Sequence, residues 1–407
     1  MKKMIYILFA AGILFSSITN IQAFELGQVD IHGFVSQGFL ISDENNYLAE
    51  TEDGTFQFNE IGINFTTTLT DNLRLGLQLF SYDFGETGNN EINVDWAYAD
   101  YRWKNWLGLR AGIIKVPAGF YNESRDIDAV RTNIFLPQSV YYDGYRENRI
   151  SLQGIGVYGD ILHDTVGNFS YQIEYGTMNI DNDSGPARMV ESKKISGQSL
   201  FEVESFDTDD ILAAALKWET PLEGLLVGTS FYQADVAINV TSKIPLGEQL
   251  PAGLPLRMET SEYREIILSG EYTWSNLILS AEYITAHTET ETLFNSTPVF
   301  PKEETDSQGW YISAAYRFTD WLEIGSYYSE YYPNKDDKDG ENQAQGEDHK
   351  AWSKDIALTA RFILGEYCNF KIEGHRIDGT AQLVDGDNPE GMEDEWFLFA
   401  SKLTFNF

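Results

Sequence analysis

Three arginines between Asp71 and Arg149 stand in a pattern that could act on charged solutes. Arg74, Arg110 and Arg149 alternate with leucine, isoleucine or glycine, so each should take the polar face of a two-faced segment. Arg102 joins them if the alanines beside it face the other way. A ladder of guanidinium groups on one wall would select solutes by charge and dipole. The alternative is that these arginines only pair with neighbouring acids in a packed wall.

Motifs for catalysis or metal binding are weak. The segment Gly154–Gly159 has the letters of a dinucleotide-binding loop, but it alternates as a strand, so its glycines should relieve crowding in a curved wall. The five histidines lack zinc-site spacing, and the fragments Asp181–Gly185 and Asp385–Asp387 are incomplete as calcium loops. No serine, histidine and acid are spaced to suggest a triad. We expect no cofactor, no resident metal ion and no catalysis.

Composition excludes several classes of protein. The chain has 407 residues and a net charge of −35, which argues against binding of nucleic acid. Its content of 43% hydrophobic and 14% aromatic residues argues against disorder. Because Cys368 is the only cysteine, a disulfide scaffold is impossible.

The first residues have the pattern of an export signal. Lys2 and Lys3 precede the apolar run Met4–Phe15, and Ala23 offers a small residue at a cleavage point. The run is too short to span a bilayer, so a secretory signal over residues 1–23, cleaved close to Ala23, fits better than a membrane anchor. No later apolar run is long enough for a membrane-spanning helix.

Most of the remaining chain alternates with a period of two, as β-strands with two different faces do. Leu73–Leu79 and Phe397–Phe407 show this most clearly, with apolar side chains at nearly every second position. Short connections are predicted at 70–72, 104–105, 221–223, 275–276, 319–320 and 365–366. Long polar or acidic connections are predicted at 41–55, 84–91, 115–148, 179–207, 239–262, 287–307, 333–351 and 380–394. A soluble sandwich would also alternate, but this succession of short and long connections is typical of strands that cross a membrane.

The pattern therefore predicts an all-β fold. We expect residues 24–407 to form a closed antiparallel transmembrane β-barrel of about 16 strands, in which closure leaves no edge exposed. Aromatic residues near the strand ends fit the girdles at the two membrane interfaces, although a soluble core could also hold them. They are Trp103, Trp106, Trp274, Phe318 and Trp321 beside short turns, and Tyr327, Tyr328, Tyr331 and Tyr332 at the other end of one strand.

The predicted signal, the alternating strands, the opening segment His32–Phe39 and the aromatic Phe407 together resemble a Gram-negative porin. The nearest families are the porins of about 16 strands, including the phosphate-selective porins. The resemblance implies an outer-membrane location, short periplasmic turns, long extracellular loops and an inward-folded third loop. It also implies that Phe407 is an assembly signal for the barrel-assembly machinery. The implied function is a water-filled channel for passive diffusion of small hydrophilic solutes or ions.

By this resemblance, the connection between Lys115 and Asn148 is loop three, and it narrows the barrel. Its acids Glu123, Asp126 and Asp128 would face the arginines across a constriction that favours anions. A lipid-facing arginine would cost about 2–4 kcal/mol near the midplane, which favours the inward direction for the arginines. The predicted constriction consists of Arg74, Arg102, Arg110, Lys115, Glu123, Arg125, Asp126, Asp128, Arg131 and Arg149.

The expected partners are outer-membrane lipid and lipopolysaccharide, the barrel-assembly machinery, and small hydrophilic solutes or anions. A homotrimer is among the assemblies that the resemblance allows. The carboxylates of Asp336, Asp337 and Asp339 could bridge divalent cations to lipopolysaccharide, although a solvated acidic loop is the simpler interpretation. Two alternative functions are an outer-membrane barrel enzyme, which needs a histidine beside a serine and a carboxylate, and a closed structural or adhesive barrel, which would not conduct.

Overall fold

The structure is a computed structural model that describes residues 28–195, 197–246 and 251–407. The predicted signal peptide, residues 1–23, with its cleavage point at Ala23, lies outside the described residues. Within those residues, sixteen antiparallel strands form one closed barrel. They are β1 (Val29–Ser42), β2 (Asn59–Thr70), β3 (Leu73–Asp83), β4 (Asn93–Lys104), β5 (Leu107–Lys115), β6 (Ser151–Ile161), β7 (Asn168–Thr177), β8 (Phe201–Glu219), β9 (Leu225–Ser242), β10 (Pro255–Trp274), β11 (Leu277–Phe294), β12 (Glu303–Thr319), β13 (Leu322–Tyr332), β14 (Ser353–Ile363), β15 (Cys368–Asp378) and β16 (Glu395–Asn406).

Helices are short and lie in the connections. They are α1 (Gln138–Tyr141), α2 (Gly185–Glu191) and the single 3-10 turns Asn122–Ser124, Asp128–Val130, Asp143–Tyr145 and Asp348–Ala351. Two-residue strands at Lys194–Ile195, Gln198–Ser199 and Thr297–Pro298 also lie in connections. None of the helices among the described residues is long and apolar enough to cross a membrane.

The connections confirm the predicted succession of short and long. Short ones lie at 71–72, 105–106, 162–167, 220–224, 275–276, 320–321 and 364–367, of which the third was not predicted. Long ones lie at 43–58, 84–92, 116–150, 178–200, 243–254, 295–302, 333–352 and 379–394. All short connections lie at one end of the barrel, the short-turn end, and all long ones lie at the long-loop end.

Five neighbouring strands are longer than the sequence predicts. Strands β8 to β12 have 17 to 20 residues each, whereas the other barrel strands have 9 to 14. They extend into the predicted connections 179–207, 239–262 and 287–307, so these predicted bounds were wrong. Outward charges such as Glu259 and Arg264 indicated a loop, but the ladder of backbone hydrogen bonds continues through them. We infer that these residues project beyond the bilayer, where outward side chains meet water.

The two faces of each strand differ as the alternation predicts, and β16 shows this best. Phe397 and Phe399 are about half exposed on the outer face, while Trp396 and Lys402 are buried on the inner face. The aromatic residues beside the short turns, Trp103, Trp106, Trp274, Phe318 and Trp321, are all more than half exposed. A band of outward apolar side chains with aromatic residues at its edge is what a bilayer requires.

The four tyrosines of β13 divide between the faces, which corrects their assignment to one girdle. Tyr328 and Tyr332 lie on the outer face and donate hydrogen bonds of 2.6 and 2.8 Å to the Glu330 carboxylate. Tyr327 is buried on the inner face, and Tyr331 lines an internal cavity. Strand alternation is the reason, because odd and even positions point to opposite faces.

The inner and outer faces of β6 are reversed relative to the prediction, which placed the side of Arg149 inward. Leu152 is fully buried on the inner face, whereas Ile155 is 63% exposed on the outer face. The glycines permit close strand approach as predicted, since a Cβ on Gly154 would lie 2.0 Å from the Tyr175 carbonyl oxygen. Gly154 pairs with Gly112 on one side and Gly176 on the other.

Two of the three apolar clusters of the described residues include side chains of the third long connection. One cluster surrounds Phe58 and Phe135, whose rings stack with centroids 5.3 Å apart. The other surrounds Tyr141, Tyr232 and Tyr311. The interior is therefore densely filled, and the third long connection supplies side chains to both clusters.

The seam of the barrel supports one prediction. Strand β1 pairs with β16 from Phe34 with Asn406 to Ser42 with Leu398, and Phe407 exchanges two backbone hydrogen bonds of 3.0 Å with Gly33. We expect deletion of Phe407 to lower the amount of heat-modifiable, membrane-inserted barrel, because the two backbone hydrogen bonds with Gly33 at the seam are lost. A Phe407→Tyr variant keeps the ring and serves as the control. Unchanged folded protein after the deletion would count against the prediction.

Candidate pore constriction

Loop three (residues 116–150) folds into the barrel, which confirms that prediction. The backbone N–H of Phe120 donates to the Glu282 carboxylate of β11 at 2.9 Å. The N–H groups of Ile134 and Phe135 donate to the Glu373 carboxylate of β15 at 2.8 and 2.9 Å. Both carboxylates belong to the inner wall, so loop three crosses the lumen and is fastened to strands far from its ends.

Asp128 fastens the middle of loop three to the last two strands. Its carboxylate lies 2.9 Å from Lys371 Nζ of β15 and 3.6 Å from Lys402 Nζ of β16, and it accepts the Thr404 hydroxyl at 2.8 Å. The Asp128 and Lys371 side chains are completely buried. The prediction that Asp128 faces the arginines was therefore wrong. Asp128 is the counter-ion of the buried Lys371, and it shares the buried Lys402 with Glu60 of β2.

Asp126 belongs to a second buried group of charges. Lys115 Nζ lies 3.0 Å from Asp95 and 2.5 Å from Asp126, and the Arg146 guanidinium lies 3.2 and 2.8 Å from the same two carboxylates. Burial alone would raise the pKa of Asp126, but Arg146 and Lys115 together hold it well below the usual value. Two cations and two anions balance here, so Lys115 and Asp126 hold loop three against β4 and do not present charge to a solute.

Arg125 and Arg131 also serve the loop itself. Arg125 donates to Asp143 at 2.6 Å and to the Tyr141 carbonyl at 3.0 Å. Arg131 donates to the Ile134 carbonyl at 3.0 Å. Both predicted constriction residues therefore form hydrogen bonds within loop three and stabilise its fold.

The remaining predicted cations form the arginine wall, defined as Arg74, Arg102 and Arg110 on the inner faces of β3, β4 and β5. Arg110 lies 4.3 Å from the Tyr158 ring centroid and 3.4 Å from the Asp100 carboxylate. All three arginines lie near the short-turn end. The alternation of β4 places Arg102 on the inner face, which is the phase that the ladder required.

Exposure and pairing differ along the arginine wall. Arg102 and its partner Asp160 lie 2.5 Å apart, and both side chains are more than 40% exposed. Arg110 is 18% exposed. Arg74 is exposed and forms no ion pair with any described residue. The wall therefore has one unpaired cation and two cations shared with acids.

Arg149 does not belong to the wall, which corrects its predicted place on the polar face of a strand. It lies in loop three, before β6 begins at Ser151. Its guanidinium pairs with Glu265 of β10 at 2.5 Å and donates to the Val140 carbonyl at 3.2 Å. The predicted strand began too early in the chain and included residues that belong to loop three.

Glu123 is the loop-three acid that does reach the exposed side of the lumen. Its carboxylate accepts from Gln172 of β7 at 3.3 Å and lies 3.5 Å from Lys217 of β8. Its side chain is 30% exposed. Of the three acids expected to face the arginines, Glu123 alone lies on their side of loop three.

Several buried inner-wall groups were not identified from the sequence. Glu373 and Asp355 flank His375, with ring nitrogens 3.1 and 3.0 Å from their carboxylates. Lys371 and Lys402 bind Asp128 from loop three. The available signal was an ionisable residue on the inner phase of an alternating strand, as at Lys402, but Lys371 meets Asp128 across 243 positions in the chain.

One group on the outer face could hold a metal ion by its residue types. Glu262, His287 and Glu289 offer ligand atoms within 4.8 Å of one another. Salt bridges already occupy them, from Arg264 to Glu262 and from Lys302 to Glu289. Basic side chains thus balance this cluster within the described residues.

Comparisons with known proteins agree with this architecture. The sequence model of the Gram-negative porin family matches residues 8–359. An uncharacterised protein of Aquifex aeolicus is 31% identical over 101 residues, and the match spans 24% of this chain but only 22% of that relative.

Three solved structures are similar over nearly the whole chain. OmpT of Vibrio cholerae has 13% identity and a TM-score of 0.58, covering 94% of this chain and all of the other. OmpF of Salmonella typhi, solved with daunomycin, has 15% identity and a TM-score of 0.56, covering 96% and 100%. The anion-selective porin of Comamonas acidovorans has 13% identity and a TM-score of 0.55, covering 93% and 99%. At these identities the likeness concerns the fold. On the family match, this chain belongs to the Gram-negative porin family, and its barrel lies in the outer membrane.

Proposed function

We propose that this outer-membrane channel passes small hydrophilic solutes by passive diffusion along the arginine wall. The observation that carries the proposal is that loop three lies fastened inside a closed barrel. On the side of β15 and β16 its contacts are completely buried, as at Lys371. On the side of β4 to β8 several charged side chains keep exposed surface, with Arg102 at 46% and Lys217 at 26%, although Asp95, Lys115 and Glu174 are buried. A permeating solute therefore has room only between loop three and that wall.

We infer that the channel favours small anions. Arg74 supports this because it has no acidic partner among the described residues. The acidic long loops carry much of the net charge of −35, but beyond about 8 Å at 0.15 M salt their fields are largely screened. Charges on the wall lie closer than this to a solute, and the surrounding protein strengthens their effect.

Exchange of Arg74 for glutamate is expected to move the reversal potential in planar bilayers toward cation selectivity. The expected shift is large in high salt, where distant loop charges are screened, because the substitution reverses an unpaired charge at the path. Arg376→Glu is the matched control, since Arg376 makes an exposed pair with Glu395 on the outer face.

The same recordings test the channel itself. We expect small conductance steps from the unmodified chain, because loop three fills much of the lumen. If no steps occur, the closed structural barrel is the better interpretation. If Arg74→Glu leaves the reversal potential unchanged but neutralisation of Asp336, Asp337 and Asp339 shifts it, the acidic loop at the channel entrance sets the ion selectivity.

The partners and the absence of catalysis belong to the same proposal. We propose insertion by the barrel-assembly machinery, contact with lipopolysaccharide at the long-loop end, and assembly as a homotrimer. A barrel enzyme finds less support, because no histidine of the described ranges hydrogen-bonds both a serine and a carboxylate. His287 binds Asp306, His349 binds Thr380, and His375 lies between two carboxylates.

A further inference from the structure

An internal cavity of about 410 Å³ lies in the long-loop half of the lumen, beside loop three. The inner faces of the long strands line it through Ile211, Val236 and Ile284, and α2 contributes Met189. Loop three supplies Arg149 at one side. Cavities of this size hold small organic ligands, and an apolar lining is typical of such sites.

The charged groups that line the cavity share one sign. Arg149 and Lys193 are the charged residues that line it, and no acidic residue of the described chain does so. Arg149 uses donors toward Glu265 and Val140, and a guanidinium has five. Glu265 balances the charge of Arg149, whereas Lys193 forms no ion pair with a described residue; in a chain of net charge −35 this free cation at the cavity rim indicates an anionic ligand.

We propose that this cavity binds a small organic anion with an apolar body, such as an aromatic carboxylate. The apolar part packs against Ile211, Val236 and Ile284, and the carboxylate points to Arg149 and Lys193. Asn148 also lines the cavity, and its side-chain N–H groups can donate to the carboxylate. The inference deepens the proposed channel and rests on it, because the cavity would hold the solute before it passes loop three.

Equilibrium titration of the refolded full chain with 2-naphthoate tests the proposal. Ala286 lies on the inner face of β11 and lines the cavity, so Ala286→Phe fills the space. Ala281 lies on the outer face of the same strand, and Ala281→Phe is the matched control. We expect Ala286→Phe to weaken binding by about tenfold or more, and the control to bind as the unmodified chain does.

A second variant tests whether the ligand must carry a negative charge. Lys193 is exposed at the rim, so Lys193→Gln should fold normally and weaken 2-naphthoate severalfold while leaving neutral 2-naphthalenemethanol unchanged. Equal binding of the acid and the alcohol would overturn the anionic assignment. Unchanged binding to Ala286→Phe, checked for heat-modifiable folding, would overturn the site. Binding without bilayer conductance would refute the channel but keep the site, whereas conductance without binding would refute the site alone.

Discussion

Replacement of Asp128 by alanine is expected to release loop three from the barrel wall and to raise the single-channel conductance severalfold. The substitution leaves Lys371 buried without its counter-ion, while Lys402 keeps its pair with Glu60, and breaking a buried pair in this way costs about 3–5 kcal/mol. The two ammonium groups belong to barrel strands and cannot leave the wall. The loop is the part that can move, so water enters and the loop undocks.

Trypsin reports the release directly. Arg131 follows Asp128 closely and is held by backbone carbonyls in the docked loop, so cleavage after it should appear only in the variant. Asp207→Ala is the control, because it breaks an exposed pair with Arg257 that is worth about 1 kcal/mol or less. If Asp128→Ala neither conducts more nor gains a cleavage site, the contact does not hold the loop.

The response to acid follows from the same carboxylate. Burial would raise the pKa of Asp128, but Lys371 and Lys402 lower it below the usual value of an aspartate. A lowered pKa stabilises the docked loop above the unperturbed pKa of about 3.9, and this stabilisation is lost as the pH falls further. We therefore expect docking to persist in mild acid, and conductance at strongly acidic pH to rise less in Asp128→Ala than in the unmodified chain.

Loss of Glu373 should have an effect of similar size. Its carboxylate accepts the N–H groups of Ile134 and Phe135, the Thr359 hydroxyl and a His375 ring nitrogen. Glu373→Ala leaves these buried donors without an acceptor, at about 1–3 kcal/mol for each that water does not reach. We expect tryptic cleavage of loop three and a lower temperature of barrel unfolding.

Two further variants make this prediction specific. Glu373→Gln keeps one acceptor oxygen for the loop backbone, so its effect should lie between the unmodified chain and Glu373→Ala. Glu373→Ala combined with Asp128→Ala should add little conductance, because both contacts hold the same part of loop three and the loop undocks only once. Fully additive effects would show that the two residues hold separate structures.

The barrel could be predicted because its signals are local. The outward Phe397 and Phe399 and the inward Lys402 follow from alternation within one strand, and every short turn except that at 162–167 is visible in its own few residues. A membrane makes the alternation easier to recognise in the sequence, because each strand must present one apolar face to lipid. The wrong phase of β6 arose where glycines removed the contrast between the faces.

The site could be predicted only in part because its contacts are remote in the chain. Arg74, Arg102 and Arg110 lie on the predicted inner faces, since strand geometry alone decides this. Asp128 meets Lys371 across 243 positions, and nothing near either residue indicates the other. The charged residues of loop three were therefore predicted to face the solute, although most of them bind the barrel wall or other residues of the loop.

The pairing of β1 with β16 has a consequence for how the protein is made. Phe34 lies opposite Asn406, so no closed barrel can exist until the ribosome has synthesised both strands. Until then the chain has two unpaired edges, and such edges pair readily with other chains. A product of premature termination before β16 would keep both edges permanently. Unfinished chains are therefore expected to aggregate unless another protein covers their edges or degrades them.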